Sequence, residues 1–352
     1  MRDKGITERE LARDRIQNSK KRVGYVDLYR GIGIILMIMA HVGFGSFFDH
    51  YIHAFHMPMF FFVSGYFFKL DSALVFFKHK IRTLLLPYYL CAILIYLGWK
   101  VLFGNLEDSL VRILLYMNST KFVAAALWFL TALFVANAIY WLIHKLFKSI
   151  IYLSIAVCLI ALCGNLMHFF FVKPCVFALD AGLVGAGIMH FGYLCRNCRS
   201  IIIEKAMNLK WSEIIFTVTM LSIMIFANGK VNMREGKYGI VPLFWINSVG
   251  MCIVLWNAAR EIQEIHNTKL SKDVLIDLYS ILINIGRRSL IFLCLNQVMI
   301  VITFKLIPIR NGAHGIVVLI HNTVVLFAVL VLLYLIAIIH EFVKKRIMEY
   351  SY

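Results

Sequence analysis

The chain has 352 residues, 61% of them apolar or aromatic and 16% charged, with 36 Lys and Arg against 19 Asp and Glu and a formal net charge of +17. That much apolar surface exceeds what a soluble domain of this length buries, so a soluble enzyme is excluded and a polytopic membrane protein is implied. The positive excess suits loops retained in the cytoplasm and anionic lipid headgroups, and nucleic acid is a poor explanation for it.

Residues 1–24 are polar and basic, and "TERE" (Thr7 to Glu10) has the spacing of a capping box for a short helix. The first apolar run has no small-residue cleavage site behind it and is too long for a signal peptide's core, so it is expected to stay as a span. Runs of about 20 apolar residues cross roughly 30 Å of hydrocarbon at 1.5 Å per residue, and no barrel-like alternation is visible. An all-α fold with ten spans is expected, at 29–48, 54–70, 83–103, 124–144, 150–171, 176–194, 211–227, 241–259, 285–304 and 316–340. With the N-terminus inside, the inner segments carry 27 of the Lys and Arg and the outer segments 9, which puts both termini in the cytoplasm of a multi-pass cell-membrane protein. The layout is an N-terminal tail over 1–24, one membrane domain over 25–343 and a C-terminal tail over 344–352, with no stretch long enough for a soluble catalytic module.

Inside the first span, "YRGIGIILMIMAH" (Tyr29 to His41) holds only apolar residues and glycine between an arginine and a histidine. At 100° per residue, eleven residues make three turns plus about 20°, so Arg30 and His41 share a face and lie roughly 16 Å apart along the axis. Asp27, one turn before Arg30 on the same stripe, is placed to pair with it and with the helix N-terminus. Gly31 and Gly33 admit a close backbone or ligand. An ionisable group within a span is costly and ordinarily faces a polar cavity, which makes His41 a candidate base; a neutral imidazole bonded to a neighbouring helix is the plainer alternative. For Arg30 the plainer alternative is snorkelling at a helix end.

Asp49, His50, His53 and His56 can be drawn as a zinc site, but their tight loop gives no fixed ligand geometry, and no metal is expected. Ser64, Gly65 and Tyr66 interrupt the second apolar run and suit either close helix packing or substrate contact. Lys78, Lys80 and Arg82 precede the third span, a cluster that suits a phosphate-rich ligand and equally sets topology. Trp128, in "LWFL", either stacks on a sugar or joins an interfacial aromatic belt. Asp180 lies in the sixth span as a candidate partner for a histidine or an acceptor hydroxyl, and Asn165, His168 and His190 add further polar groups. Cys195 and Cys198 make a C-x-x-C without a second pair, and most other cysteines lie within spans as small apolar residues.

These residues carry a resemblance. "YVDLYRGIGIILMIMAH" resembles the "D-x-x-R-G" opening and Arg-x10-His signature of the acyltransferase-3 family of integral-membrane O-acyltransferases. "AFHMPMFFFVSGYFF" is similar to that family's following segment, especially in its fucose O-acetylase-like branch, and "KIRTLLLPYY", "LWFLTALF" and "GLVGAGIMHFGYL" are compatible with later ones. The resemblance implies that Arg30 and His41 match the family's essential pair and that Lys78, Lys80 and Arg82 stand where acyl-coenzyme A is engaged. The family's R-x-x-R before span three is here reduced to Arg82 with a lysine. A histidine that many members carry in a late helix is replaced by Asn296 and Gln297, and an amide cannot take a proton.

The function this implies is transfer of an acyl group, by expectation acetyl, from cytoplasmic acetyl-CoA as cosubstrate to a hydroxyl of an extracytoplasmic carbohydrate or lipid-linked glycan. His41, Arg30 and Asp27 form the expected catalytic set, Arg30, Lys78, Lys80 and Arg82 hold the donor, and His56, Ser64, Tyr66, Trp128, Asp180 and Asn296 contact the acceptor. Imidazole suits the base because its ordinary pKa near 6.5 leaves it mostly neutral at pH 7. Membrane lipids are the expected surroundings, nucleic acid is no partner, and a homo-oligomer is compatible. The competing class is a glycan-intermediate transporter or flippase without acyl transfer, although inverted repeats are not visible.

Overall fold

The computed structural model describes residues 24–104, 107–117, 120–170, 175–267, 274–309, 312 and 314–349, without the side chains at 168–169, 274–277, 345 and 347–349. The "TERE" cap, nearly all of the N-terminal tail, the side chain of His168 and the end of the C-terminal tail therefore lie outside the described residues. In chain order the helices are α1 Gly24–Val42, α2 Ser46–His53, α3 His56–Tyr66, α4 Ala73–Phe103, α5 Leu110–Tyr116, α6 Ala125–Leu146 and α7 Ile150–Phe170. They continue with α8 Val176–Asn197, α9 Ile201–Ala206, α10 Trp211–Ala227, α11 Val241–Asn267, α12 Val274–Arg287, α13 Ser289–Leu306 and α14 Ile316–Glu349. Among the described residues there is no strand beyond an isolated bridge between Asn232 and Lys237. Helices satisfy every backbone group within the segment, which is what an apolar solvent demands.

Eight of these helices are long and apolar enough to cross a membrane, two fewer than the ten expected spans. The other two are shorter: α3, over expected span 54–70, has 11 residues and α10 has 17. At one end α3 stops at Tyr66, short of the expected limit at 70; at the other, its start has a local cause. Pro58 has no N–H to give the carbonyl of Ala54, so the helix breaks between α2 and α3 at Ala54 and Phe55. The freed carbonyl accepts instead from Ser248 Oγ of α11 at 2.7 Å. A second proline, Pro87, leaves its mark on α4, where a π-helical turn at Ile81–Leu85 takes up the missing donor one turn ahead of it.

Glycines decide which helices touch. A Cβ at Gly31 would sit 2.1 Å from the Leu282 carbonyl oxygen and one at Gly286 would sit 1.8 Å from that of Asp27, so α1 and α12 meet backbone to backbone. Gly65 and Gly192 bring α3 and α8 together in the same way, at 1.8 Å from Met189 O and 2.1 Å from Phe62 O. Small residues at such crossings are what membrane helices use where lipid removes the hydrophobic drive to associate. Gly33 instead meets the Phe60 ring. The amphipathic α12, which the span pattern did not anticipate, is thereby fixed against the Arg30 end of α1.

Between α10 and α11 the chain folds into a short hairpin. Asn228 holds both of its sides: Oδ1 accepts from the amides of Gly229 (2.9 Å) and Ile240 (2.6 Å), and Nδ2 donates to Tyr238 O at 3.2 Å. Asn232 and Lys237 exchange backbone hydrogen bonds of 2.7 and 3.0 Å, and Gly236 closes the turn at φ 68°. The hairpin carries Arg234 on a 3₁₀ turn, Met233–Glu235, over the His41 end of α1.

Candidate active site

One stripe of α1 lines two cavities. Arg30 and Ile34 border a cavity of about 670 Å³, and Met37 and His41 border another of about 200 Å³. The spacing i, i+4, i+7, i+11 keeps all four side chains on a single helix face. The neighbouring helices repeat the division: on α13, Leu290 and Leu293 face the first cavity and Gln297 the second, and on α3, Phe60 and Ser64 face the first and His56 and Met57 the second. The two cavities thus follow each other in the same order along α1, α3 and α13, with the buried Ile34 and Met37 at their adjacent ends.

The larger cavity is basic. Arg30, Lys80 and Arg287 line it together with His79, and α6 adds Phe129, Leu130 and Leu133 to its wall. Asp27 is buried just behind it, with Oδ1 3.9 Å from Arg30 Nη1 and Oδ2 3.3 Å from Arg287 Nε, so it fixes the guanidiniums without presenting its own charge to the cavity. Lys80 is half-buried, whereas Lys78 and Arg82 are exposed and border neither cavity. Ser64 lies at the cavity wall and donates to Asn137 Oδ1 at 3.2 Å; Asn137 is itself buried and donates to Leu133 O.

The smaller cavity is rich in imidazole. His41, His53 and His56 line it, with Trp128, Gln297, Asn232 and Arg234. His56 Nδ1 donates to Ile52 O at 2.9 Å and His53 Nδ1 donates to Asp49 O at 2.7 Å, because a carbonyl only accepts. When neutral, both rings therefore keep their lone pair on Nε2. Their centroids are 5.0 Å apart, edge to face. His41 has no hydrogen bond to a described residue. Gln297 is anchored by the Ala126 amide, which donates to its Oε1 at 2.6 Å, and Arg234 donates to the carbonyl oxygen of Thr120. Burial lowers the Arg234 guanidinium from its usual range, with Glu235 and Asp108 acting in the opposite direction.

The other expected residues lie elsewhere. Asn296 is buried and donates to Leu293 O at 2.7 Å, while its neighbour Gln297 faces the cavity. Asp180 is buried near Tyr238, whose phenol is pushed well above its ordinary range by burial and by that carboxylate. Tyr66 borders a third cavity, on a different side of α1 and α3. His190 lies between Tyr140 (3.0 Å) and Ser154 (2.8 Å), and Asn165 accepts from Trp245 Nε1; neither lines the two cavities along the α1 stripe. His50 is bonded to Ile225 O, and among the described residues no three His, Cys, Asp or Glu side chains converge as metal ligands. Sequence reasoning missed Arg234 and Arg287, which reach the two cavities from elements some 200 residues beyond α1.

The acyltransferase-3 family model, described as an acyltransferase domain, matches residues 23–341, and the chain belongs to that family. It is a membrane acyltransferase. No curated protein and no solved structure matches it.

Proposed function

We propose that the protein transfers an acetyl group from cytoplasmic acetyl-CoA to a hydroxyl of an extracytoplasmic carbohydrate or lipid-linked glycan. The observation that carries this reading is the α1 stripe, Arg30, Ile34, Met37 and His41, shared by a basic cavity and an imidazole-lined one. The excess of Lys and Arg in the segments on the Arg30 side supports the cytoplasmic assignment of the basic cavity.

In this reading the nucleotide phosphates lie against Arg30, Lys80 and Arg287, charge-assisted donors suited to phosphate oxygens. The pantetheine arm runs along the stripe past Ile34 and Met37, so the thioester arrives beside His41, about 16 Å further by helical rise. The acceptor enters from the opposite end, with a neighbouring hydroxyl of the same molecule donating to Nε2 of His53 or His56 and the reacting hydroxyl facing His41. His41 removes the hydroxyl proton as the oxygen attacks the thioester carbonyl carbon. Arg234 and the Gln297 amide stand ready for the negative charge that grows on the carbonyl oxygen. The C–S bond then breaks, the imidazolium returns its proton to the departing sulfur, and the products are an O-acetyl ester and free CoA thiol.

The test is purified protein with radiolabelled acetyl-CoA and a panel of oligosaccharide and lipid-linked acceptors. Label in a saccharide ester, lost in His41→Ala protein that remains folded, is expected. Folded wild-type protein that moves unmodified glycan across proteoliposomes and never acetylates it would overturn the reading in favour of a transporter.

A further inference from the structure

The third cavity, of about 500 Å³, opens beside the Arg30 end of α1 but shares no lining residue with either of the other two. It is framed by Tyr25 of α1, Tyr66 of α3, the C-terminal turn of α8 and the C-terminal part of α11. Tyr25 lies about 140° around α1 from Arg30, so the body of α1 separates this cavity from the basic one.

Three guanidiniums border it. Arg196 donates to Tyr66 O at 3.1 Å and lies over the Tyr66 ring with 5.6 Å to the centroid. Arg260 donates to Met207 O and, at 3.0 Å, to Asn208 Oδ1. Both are held by neutral acceptors through a single terminal nitrogen, which leaves the rest of each fork oriented and available. Arg199 is exposed and lines the cavity, and among the described residues no salt bridge holds it. Glu204 and Glu264 also stand at the rim, yet no salt bridge joins either to these arginines among the described residues. The Gln263 Oε1, beside Gly24 at the start of α1, is buried without a hydrogen-bond donor. Phenol rings on one wall, oriented guanidiniums on another and an amide oxygen still lacking a donor are complementary to a planar ring bearing N–H donors joined to a phosphate group.

We infer that this cavity is a second ligand site, for a nucleotide-type molecule, separate from the donor cavity of the proposed reaction. The phosphate lies against Arg196, Arg199 and Arg260, and the ring lies along the wall that Tyr25 and Tyr66 form, with its exocyclic N–H toward Gln263. The inference rests on the proposed reading only in treating the Arg30 cavity as the donor's place.

Cys198, also in the lining, supplies a readout independent of acyl transfer. Wild-type protein in detergent is treated with N-ethylmaleimide with and without ADP, and alkylation of Cys198 is followed by peptide mass spectrometry. ADP is expected to slow Cys198 alkylation in the wild type and equally in Arg30→Gln. Arg199→Glu, at an exposed position where folding is not at stake, is expected to raise the ADP concentration for half protection by at least about tenfold, the scale of one lost charge-assisted hydrogen bond. Absence of protection by ADP overturns the inference. Protection that vanishes in Arg30→Gln also overturns it, since the nucleotide then sits in the donor cavity. Protection by phosphatidylglycerol vesicles without protection by ADP overturns it in favour of a lipid headgroup. None of these outcomes depends on transfer activity, so failure of the acetyl-transfer reading leaves this site to stand or fall separately.

Discussion

Arg287, the last residue of α12, places its Nε 3.3 Å from a carboxylate oxygen of Asp27, 260 positions earlier in the chain. Asp27 is 1% exposed and faces Arg30 as well, so one buried anion holds two cations that border the basic cavity. Glycine contacts at Gly31 and Gly286 bring the two backbones close enough for this to happen. The sequence distance between donor and acceptor is closed by side chains that are absent.

Asp27→Asn keeps the shape and removes the charge. The arginines are partly solvated, so each pair contributes only about 1 kcal/mol and the protein is expected to stay folded with a modest fall in Tm. The larger effect is expected on donor binding: without the anion the guanidiniums lose their fixed positions, and KM for acetyl-CoA should rise about tenfold, the equivalent of roughly 1.4 kcal/mol. Steady-state kinetics with saturating acceptor measures it. An unchanged KM would show that Asp27 only stabilises the helix junction.

Ser248 offers a test of the break before α3. Ser248→Ala leaves the Ala54 carbonyl with neither its helix donor nor its hydroxyl donor, and an unsatisfied buried group costs about 1–3 kcal/mol. Pro58→Ala supplies an N–H that can reach that carbonyl. The double variant is therefore expected to be less destabilised than the sum of the two single changes, a coupling read from thermal unfolding in detergent. Additive losses would mean that the hydroxyl and the proline act independently.

The helical character and the α1 stripe were legible because a 3.6-residue period fixes which side chains share a face whatever surrounds them. Rotation about a helix axis is different. Lys78, Lys80 and Arg82 offered three candidates for one cavity, and only Lys80 faces it; the π-helical turn that starts at Ile81 changes the local register in a way that composition does not announce. Asn296 and Gln297 are adjacent, about 100° apart, and only packing of α13 decides that the second faces the imidazoles. The break before α3 had a visible cause in Pro58, which stands in the first turn of that helix and gives no N–H to Ala54 O. Arg234 and Arg287 had no local signal beyond charge at a loop or helix end, where topology explains an arginine equally well.

Arg234 separates a catalytic hairpin from a merely structural one. Arg234→Gln removes the cation above His41 while leaving a side chain able to donate to Thr120 O. Loss of a preorganised donor to a developing oxyanion typically costs about 10²- to 10³-fold in kcat. A kcat reduced on that scale with KM for acetyl-CoA little changed is expected, with Arg234→Lys recovering part of it. Equal loss in the lysine and glutamine variants, accompanied by lowered Tm, would assign the residue to the fold of the 228–240 hairpin alone.

The three imidazoles of the smaller cavity are distinguishable by what their Nδ1 atoms do. His53 and His56 each spend Nδ1 on a carbonyl of the preceding turn, which fixes the tautomer and aims an acceptor lone pair away from the helix backbone. His41 is not tied in this way, so its ring can change protonation state without breaking a backbone bond. Removal of a general base typically costs about 10²- to 10⁴-fold, and His41→Ala is expected to lose kcat on that scale at every acceptor concentration. His56→Gln keeps a hydrogen-bond acceptor but displaces it, so its effect should fall on KM for the acceptor, with kcat largely retained. Initial rates over a matrix of donor and acceptor concentrations separate the two patterns. If His56→Gln abolished kcat while His41→Ala left it intact, the proton would leave through α3 and the α1 stripe would serve only to guide the donor.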